Sequence, residues 1–141
     1  MNKIGMFVNF WEKNWTCDLE KYIRKAGEIG FDVLEFQAQA LLDMNHAKMD
    51  ELKKVAKESN VELTYSLGLN ADYDISSADD AVRNGGIEYL KNIVERVGYM
   101  DGKIISGVSY AGWGCVPKED LSGNKEPLVE RSVDSMKKVT K

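Results

Sequence analysis

The apolar residues of this chain gather in four short runs, and a pattern of helical spacing follows each of them. The runs are residues 4–10, 31–36, 61–67 and 103–114. Apolar runs of this length without helical period are typical of strands buried on both faces of a parallel sheet. The strand starts recur about every 30 residues, which is the length of one strand–helix–strand step. The pattern therefore predicts four repeats of one βα unit.

The helical segments carry their own start and stop signals. Asp18 is placed to cap the first helix, and Gly30 to end it in the left-handed conformation. Ser76 or Ser77 fits a capping box before the third helix, and Pro127 suits the first turn of the fourth. The residues predicted to face inward are Leu19, Tyr22, Ile23, Ala26 and Ile29; Met49, Leu52, Val55 and Ala56; Ile87, Leu90, Val94 and Val97; and Leu128, Val133, Met136 and Val139.

The predicted fold is a (βα)4 half of a TIM barrel, an α/β domain spanning residues 1–141. Right-handed helical crossovers make all four strands parallel and place the loops that follow them on one side. A complete barrel of eight strands takes about 250 residues, so four units make half of one. An open four-stranded sheet is the alternative. The chain lacks both glycine-rich phosphate loops that would favour a nucleotide-binding sheet.

Composition and charge narrow the classes of function. The net charge is −4 and the cations form no basic stripe, which argues against a nucleic-acid partner. No apolar run reaches the length of about 18 residues that a membrane span needs, and residues 1–4 show no leader pattern. Cys17 and Cys115 match no metal-binding or redox spacing. These features favour a cytoplasmic protein with reduced thiols, with a disulfide as the minor alternative.

Ionisable residues with catalytic or metal-binding chemistry are few and scattered. His46 is the sole histidine, and no second ligand lies at a workable spacing from it. Glu35 lies within a predicted strand, and its position favours a structural hydrogen bond over a catalytic role. The acidic residues Asp72, Asp74, Asp79 and Asp80 lack the order of a calcium loop and are interpreted as a solvated loop and a helix cap. The residues alone predict no metal site.

An ordered set of residues along the whole chain resembles one known family. It opens with Gly5-Met6-Phe7, Trp11, Trp15 and residues 30–35, and it continues through Leu63-Thr64, Gly68, Ser76-Ser77, Arg83, Gly107, Trp113 and residues 130–133. The set is similar to the N-terminal half of the ketose 3-epimerases, the group of D-tagatose 3-epimerase and D-psicose (D-allulose) 3-epimerase. These enzymes belong to the xylose isomerase-like TIM barrels.

The resemblance implies C3 epimerisation of free ketohexoses through an enediolate, assisted by Mn²⁺ or Co²⁺. In the family, the four metal ligands and both catalytic glutamates follow the fourth strand. The resemblance therefore assigns no catalytic residue, no metal ligand and no cofactor to this chain by itself. It assigns substrate contacts to four positions, Phe7, Trp15, Val108 and Trp113.

The chain departs from the family at three points near these positions. Residues 66–70 stand where the family often has a Gly-x-Gly-Pro turn. Gly112 replaces an aromatic residue, and Gly114-Cys115 replaces the usual proline. These departures bear on which sugar is preferred.

An open half-barrel exposes two strand edges and an apolar face, so a partner is expected. The expected partner is a second copy, giving a homo-oligomer, or a complementary C-terminal half, with a ketohexose bound once the site is completed. The alternative to a split isomerase is a non-catalytic half-barrel that serves as an oligomerisation or weak sugar-binding module. Another chemistry of the superfamily, a sugar-phosphate isomerase or an AP endonuclease, is a third reading. The acidic balance disfavours the endonuclease.

Overall fold

The computed structural model describes residues 2–116 and 121–140. Its strands are β1 (Gly5–Phe7), β2 (Val33–Gln37), β3 (Glu62–Leu69) and β4 (Ile105–Gly112). Its α-helices are α1 (Leu19–Ile29), α2 (His46–Glu58), α3 (Asp80–Tyr99) and α4 (Glu126–Val139). Short 3-10 turns, Val8–Phe10, Ala38–Leu41 and Ala71–Tyr73, follow the first three strands. The strict alternation of strand and α-helix is the one that the apolar pattern predicts.

The strands form one sheet in the order β1-β2-β3-β4. β1 pairs parallel with β2, with Gly5 opposite Val33, and β2 pairs parallel with β3, with Val33 opposite Glu62. Consecutive strands are thus neighbours in the sheet, as a repeated βα unit predicts. No helix within the described ranges 2–116 and 121–140 has the length and apolar character to cross a membrane.

The chain divides into two compact units. The first comprises Met1–Ser66 and Arg96–Ile105, and the second comprises Leu67–Glu95 and Ser106–Lys141. In the first unit, one face of β2 points into the core through Leu34 and Phe36, both fully buried. The fully buried residues that α1 and α2 pack there are Ile23, Ala26, Met49 and Leu52. The core of the second unit centres on Leu69, Ile75, Ile87 and Leu90.

The helix signals near α1 and α2 are confirmed. The Asp18 carboxylate accepts a hydrogen bond from Lys21 N at 3.2 Å, and Gly30 ends α1 with φ of 95°. All four inward residues predicted for α2 are buried. Asn45 caps this helix by accepting from Lys48 N at 2.9 Å. The predictions based on i, i+3 and i+4 spacing thus hold where a helix packs one face on the sheet.

Several predicted details are wrong. The first strand ends at Phe7, and the chain continues as a 3-10 turn from Val8 to Phe10. Residues predicted to be inward but found exposed are Ile29, Val94 and Val133. On α3 the fully buried residue is Ile93, one position earlier. The side chain that accepts from the first amides of α3 is Asp79, whose carboxylate takes Ala81 N at 2.8 Å, and neither serine does so.

Tyr65 is the largest fully buried side chain. Its ring packs edge-on against Phe36, with centroids 5.1 Å apart, and its hydroxyl has no hydrogen-bond partner among the described residues. Burial, assisted by the negative charge of Asp101, raises the pKa of Tyr65 well above its usual range. The pKa rises because a phenolate in an apolar environment loses its hydration.

Replacing Tyr65 with phenylalanine should stabilise the protein. Removing an unsatisfied buried hydroxyl should raise the free energy of unfolding by about 1 kcal/mol at neutral pH. Above pH 10 the unfolded chain binds fewer protons at this position than the folded chain does, so the wild type loses stability through Tyr65 as pH rises, and the variant lacks this contribution. Urea titrations of both proteins at neutral pH and near pH 11 measure this difference. Tyr110→Phe, at an exposed position, is the control. A loss of stability in Tyr65→Phe at neutral pH would contradict the prediction.

Candidate functional site

The first loop is organised by Glu12. Its carboxylate accepts hydrogen bonds from Lys13 N at 2.9 Å, from Asn14 N at 3.2 Å and from the Tyr22 hydroxyl at 3.0 Å. Two hydrogen bonds lower the pKa of Glu12, chiefly the one from the backbone N–H of Asn14 and next the one from the side-chain hydroxyl of Tyr22. The loop is therefore tied to α1 and presents Trp15, whose surface is 57% exposed.

Trp15 and Phe7 lie in the first unit but line different cavities. Trp15 borders a small cavity of about 190 Å³ together with Cys17 and Phe36. Phe7, half-buried at the end of β1, borders a shallow cavity of about 330 Å³ with Glu35 and Thr64. Burial is the main cause of a raised pKa at the Cys17 thiol. The structure thus does not bring the two aromatic residues into one cavity.

Val108 and Trp113 line one cavity of about 700 Å³ in the second unit. Trp113 follows β4, and its backbone N–H donates to Leu69 O of β3 at 2.6 Å. Its indole lies against Gly68, where an added Cβ would come within 3.1 Å of the ring. The missing side chain at Gly68 lets the indole lie close to β3, while 60% of Trp113 stays exposed. A flat aromatic face held in this way is suited to the apolar face of a small ligand.

Helix α4 is attached by polar contacts that the sequence pattern does not predict. Ser132 Oγ donates to Tyr110 O at 2.6 Å, Ser135 Oγ to Ile75 O at 2.9 Å, and Arg131 Nε to Ser76 O at 2.7 Å. These bonds satisfy carbonyl oxygens of β4 and of the loop that follows β3. The available signal was a pair of serines at i, i+3 spacing, which a search for apolar positions passes over. The contacts fix the wall opposite Val108 and Trp113.

The acidic and histidine residues play structural roles. Asp74 accepts hydrogen bonds from Ser76 N at 2.8 Å and Ser76 Oγ at 2.7 Å, and Asp79 caps α3, as the interpretation of a loop and a cap predicts. His46 is exposed and stacks on Tyr99 with ring centroids 4.4 Å apart. Among the described residues, no three His, Cys, Asp or Glu side chains are grouped so as to hold a metal ion. The described residues therefore offer no such group for the divalent ion that the family resemblance implies.

The parallel sheet and its alternating strands and helices place the chain among the βα proteins that make up TIM barrels. The family model described as xylose isomerase-like TIM barrel matches residues 23–140. The chain belongs to this family.

The chain is similar to several epimerases. D-psicose 3-epimerase from Ruminiclostridium cellulolyticum is 30% identical over 99% of this chain and 47% of its own length. L-ribulose 3-epimerase from Mesorhizobium japonicum is 32% identical over 81% of this chain and 38% of its own length. The crystal structure of D-psicose 3-epimerase with D-tagatose from Clostridium cellulolyticum H10 superposes with a TM-score of 0.91 at 29% identity, covering 99% of this chain.

The chain spans about half the length of the curated relatives it matches. Two D-psicose 3-epimerases match 99% of this chain, and the match covers 47% of one relative and 46% of the other. The same holds for the solved structure, of which 47% is covered. The (βα)4 half-barrel predicted from the sequence is thereby confirmed, as is the resemblance to ketose 3-epimerases.

Proposed function

We propose that this chain is the N-terminal, substrate-binding half of a cytoplasmic, metal-dependent ketose 3-epimerase that acts on free ketohexoses. The observation that carries the proposal is the similarity to D-psicose 3-epimerases along 99% of the chain, at 30% identity. A further proposal is that residues 1–141 act as one (βα)4 domain that is completed by a partner.

The chain's part in the reaction is to bind and orient the sugar. Trp113 supplies an aromatic surface in the cavity that Val108 also lines, and Trp15 and Phe7 are proposed as further aromatic contacts, each in a cavity of its own. Apolar walls with few polar groups also exclude water from the reacting carbon. Proton exchange at C3 needs a base on each face of the sugar and stabilisation of the oxyanion. The family resemblance assigns these groups, and the ligands of Mn²⁺ or Co²⁺, to strands beyond β4.

The isolated chain is therefore expected to be inactive, and the proposal is tested by completing it. The half of the Ruminiclostridium cellulolyticum enzyme that this chain does not cover would be fused after Lys141. We expect the fusion, supplied with Mn²⁺, to epimerise D-psicose at C3, while the chain of 141 residues does not. Trp113→Ala should lower kcat/KM about tenfold, the equivalent of 1.4 kcal/mol, because the aromatic wall is lost.

Phe10→Ala is the matched control, since it truncates an aromatic residue that is 78% exposed and lies outside the cavity of Trp113. A folded fusion that binds D-psicose without turning it over would favour the non-catalytic sugar-binding module. If Trp113→Ala and Phe10→Ala lower kcat/KM equally, Trp113 is not part of the substrate site.

A further inference from the structure

Another cavity lies where β3 and β4 begin. Its volume is about 730 Å³, which is within the range of small-molecule sites. Its walls come from the second half of α2, from the residues that follow α3 and from those that open β3 and β4. All of these lining residues belong to the first compact unit. The four positions proposed to contact the sugar line other cavities, so this one has no part in the function proposed above.

The charged residues of this cavity are mostly cations. Its four lysines are Lys53, Lys54, Lys57 and Lys103, and its two carboxylates are Glu62 and Asp101. Both carboxylates already have a lysine partner, since Lys3 pairs with Glu62 and Lys53 Nζ lies 2.6 Å from Asp101 Oδ2. The whole chain has a net charge of −4, so this group of cations runs against the overall charge of the protein.

Two of the lysines, Lys57 and Lys103, have no carboxylate partner within residues 2–116 and 121–140. A third, Lys54, lies 3.9 Å from Glu58, a carboxylate that also faces Arg24 at 3.7 Å. Lys57 is in the last turn of α2, where the helix dipole favours a cation, but Lys103 belongs to no helix. Neither an ion pair nor a helix end therefore accounts for the charge of Lys103.

The remaining lining of the cavity is largely apolar. Val61 and Met100 are buried there, whereas Ile104 leaves 64% of its surface exposed. Lysine stems cover apolar surface while their ammonium groups stay in water, so apolar wall and cationic charge are presented together. Such a lining suits a small molecule that has an apolar body and an anionic end.

We propose that this cavity binds a small organic phosphate, a phosphate monoester with a compact apolar body. Lysine binds phosphate as a point charge. A phosphate monoester carries close to two negative charges at neutral pH, which match the two unpaired ammonium groups of Lys57 and Lys103. The apolar body packs on Ile104 and Met100. An acidic protein segment is the less suitable occupant, because it needs cations spread along a surface and these are confined to one cavity.

Phenyl phosphate, titrated into the chain of 141 residues and followed by amide chemical shifts, tests this site. We expect saturable shifts at Leu63 and Ile104. Phenol, which lacks the charge, and inorganic phosphate, which lacks the apolar body, should both bind more weakly. Lys57→Gln combined with Lys103→Gln should weaken the binding of phenyl phosphate about tenfold. Raising the salt concentration from about 0.05 M to about 0.5 M should also weaken binding to the wild type, because ions screen the lysines.

The matched control is Lys13→Gln combined with Lys138→Gln. It removes the same two charges from exposed lysines that lie outside the cavity. Its affinity for phenyl phosphate should stay within about twofold of the wild type, because charges beyond the Debye length are screened. Thermal unfolding followed by circular dichroism establishes that both double variants remain folded.

Equal losses of affinity in the two double variants would overturn the proposal. Phenol binding as tightly as phenyl phosphate, or shifts confined to the cavity of Val108 and Trp113, would overturn it as well. Saturable binding of a short polyglutamate peptide that phenyl phosphate does not displace would assign the lysines to an acidic protein segment instead. The measurement involves no turnover, so its failure leaves the proposed epimerase activity standing, and an inactive fusion leaves the phosphate site standing.

Discussion

Phe36→Ala should cost about 3–5 kcal/mol of folding free energy, the range for deleting a buried aromatic ring. Phe36 is 1% exposed, and its ring packs edge-on against Tyr65 in the core of the first unit. The substitution removes both the transfer free energy of the ring and the contacts of its neighbours, which cannot close the space completely. Since domains of ordinary stability have about 5–15 kcal/mol in total, much of the variant should be unfolded on mild heating.

Thermal and urea unfolding followed by circular dichroism measure the change. Phe10→Ala is the matched control, because the same ring at 78% exposure should matter by less than about 0.5 kcal/mol. A loss below 1 kcal/mol for Phe36→Ala would mean that the core of the first unit is not packed as described. The cavity beside Trp15 should also change shape in this variant, since Phe36 forms part of its wall.

Gly107→Ala should destabilise the second unit by about 3 kcal/mol, through two effects that act together. Gly107 has φ of 98°, a conformation that residues with a Cβ rarely adopt. An added Cβ would also lie 2.3 Å from Leu67 O, a backbone atom of β3 that cannot move aside without disturbing the sheet. The residue after it is Val108, so the substitution should also shift the cavity wall that Val108 forms.

The control for this variant separates strain from collision. Gly30 has nearly the same φ, 95°, but nothing lies within 4 Å of an added Cβ. Gly30→Ala should therefore show the conformational cost alone, about 1 kcal/mol. If the two alanine variants melt at the same temperature, the close approach between β4 and β3 at Gly107 is wrong.

The sequence predicted most where one physical preference dominates. The i, i+3, i+4 pattern of α2 identified all four of its buried residues, and the caps of α1 were read correctly from Asp18 and Gly30. Prediction was poorer where tertiary contacts override local preference. Val133 fits the helical pattern of α4 yet is exposed, while Ser132 and Ser135 are buried by hydrogen bonds to carbonyl oxygens far along the chain.

The four candidate site residues show the same division. Residue type and order pointed to Phe7, Trp15, Val108 and Trp113 through a family resemblance, but not to the cavity that each one lines. Val108 and Trp113 share a cavity because Trp113 bonds to β3 and lies on Gly68. That contact joins residues about 45 positions apart, a separation at which local pattern carries no information.

By itself the sequence determined the alternation of strands and helices, because the period of apolar residues decides which backbone can bury them. It also determined the family, through residues spread from Gly5 to Val133. Only the tertiary structure decided how α4 is attached, and that Val108 and Trp113 share a cavity while Trp15 and Phe7 line others. These features depend on hydrogen bonds and close approaches between distant segments, which form only when the strands are already side by side.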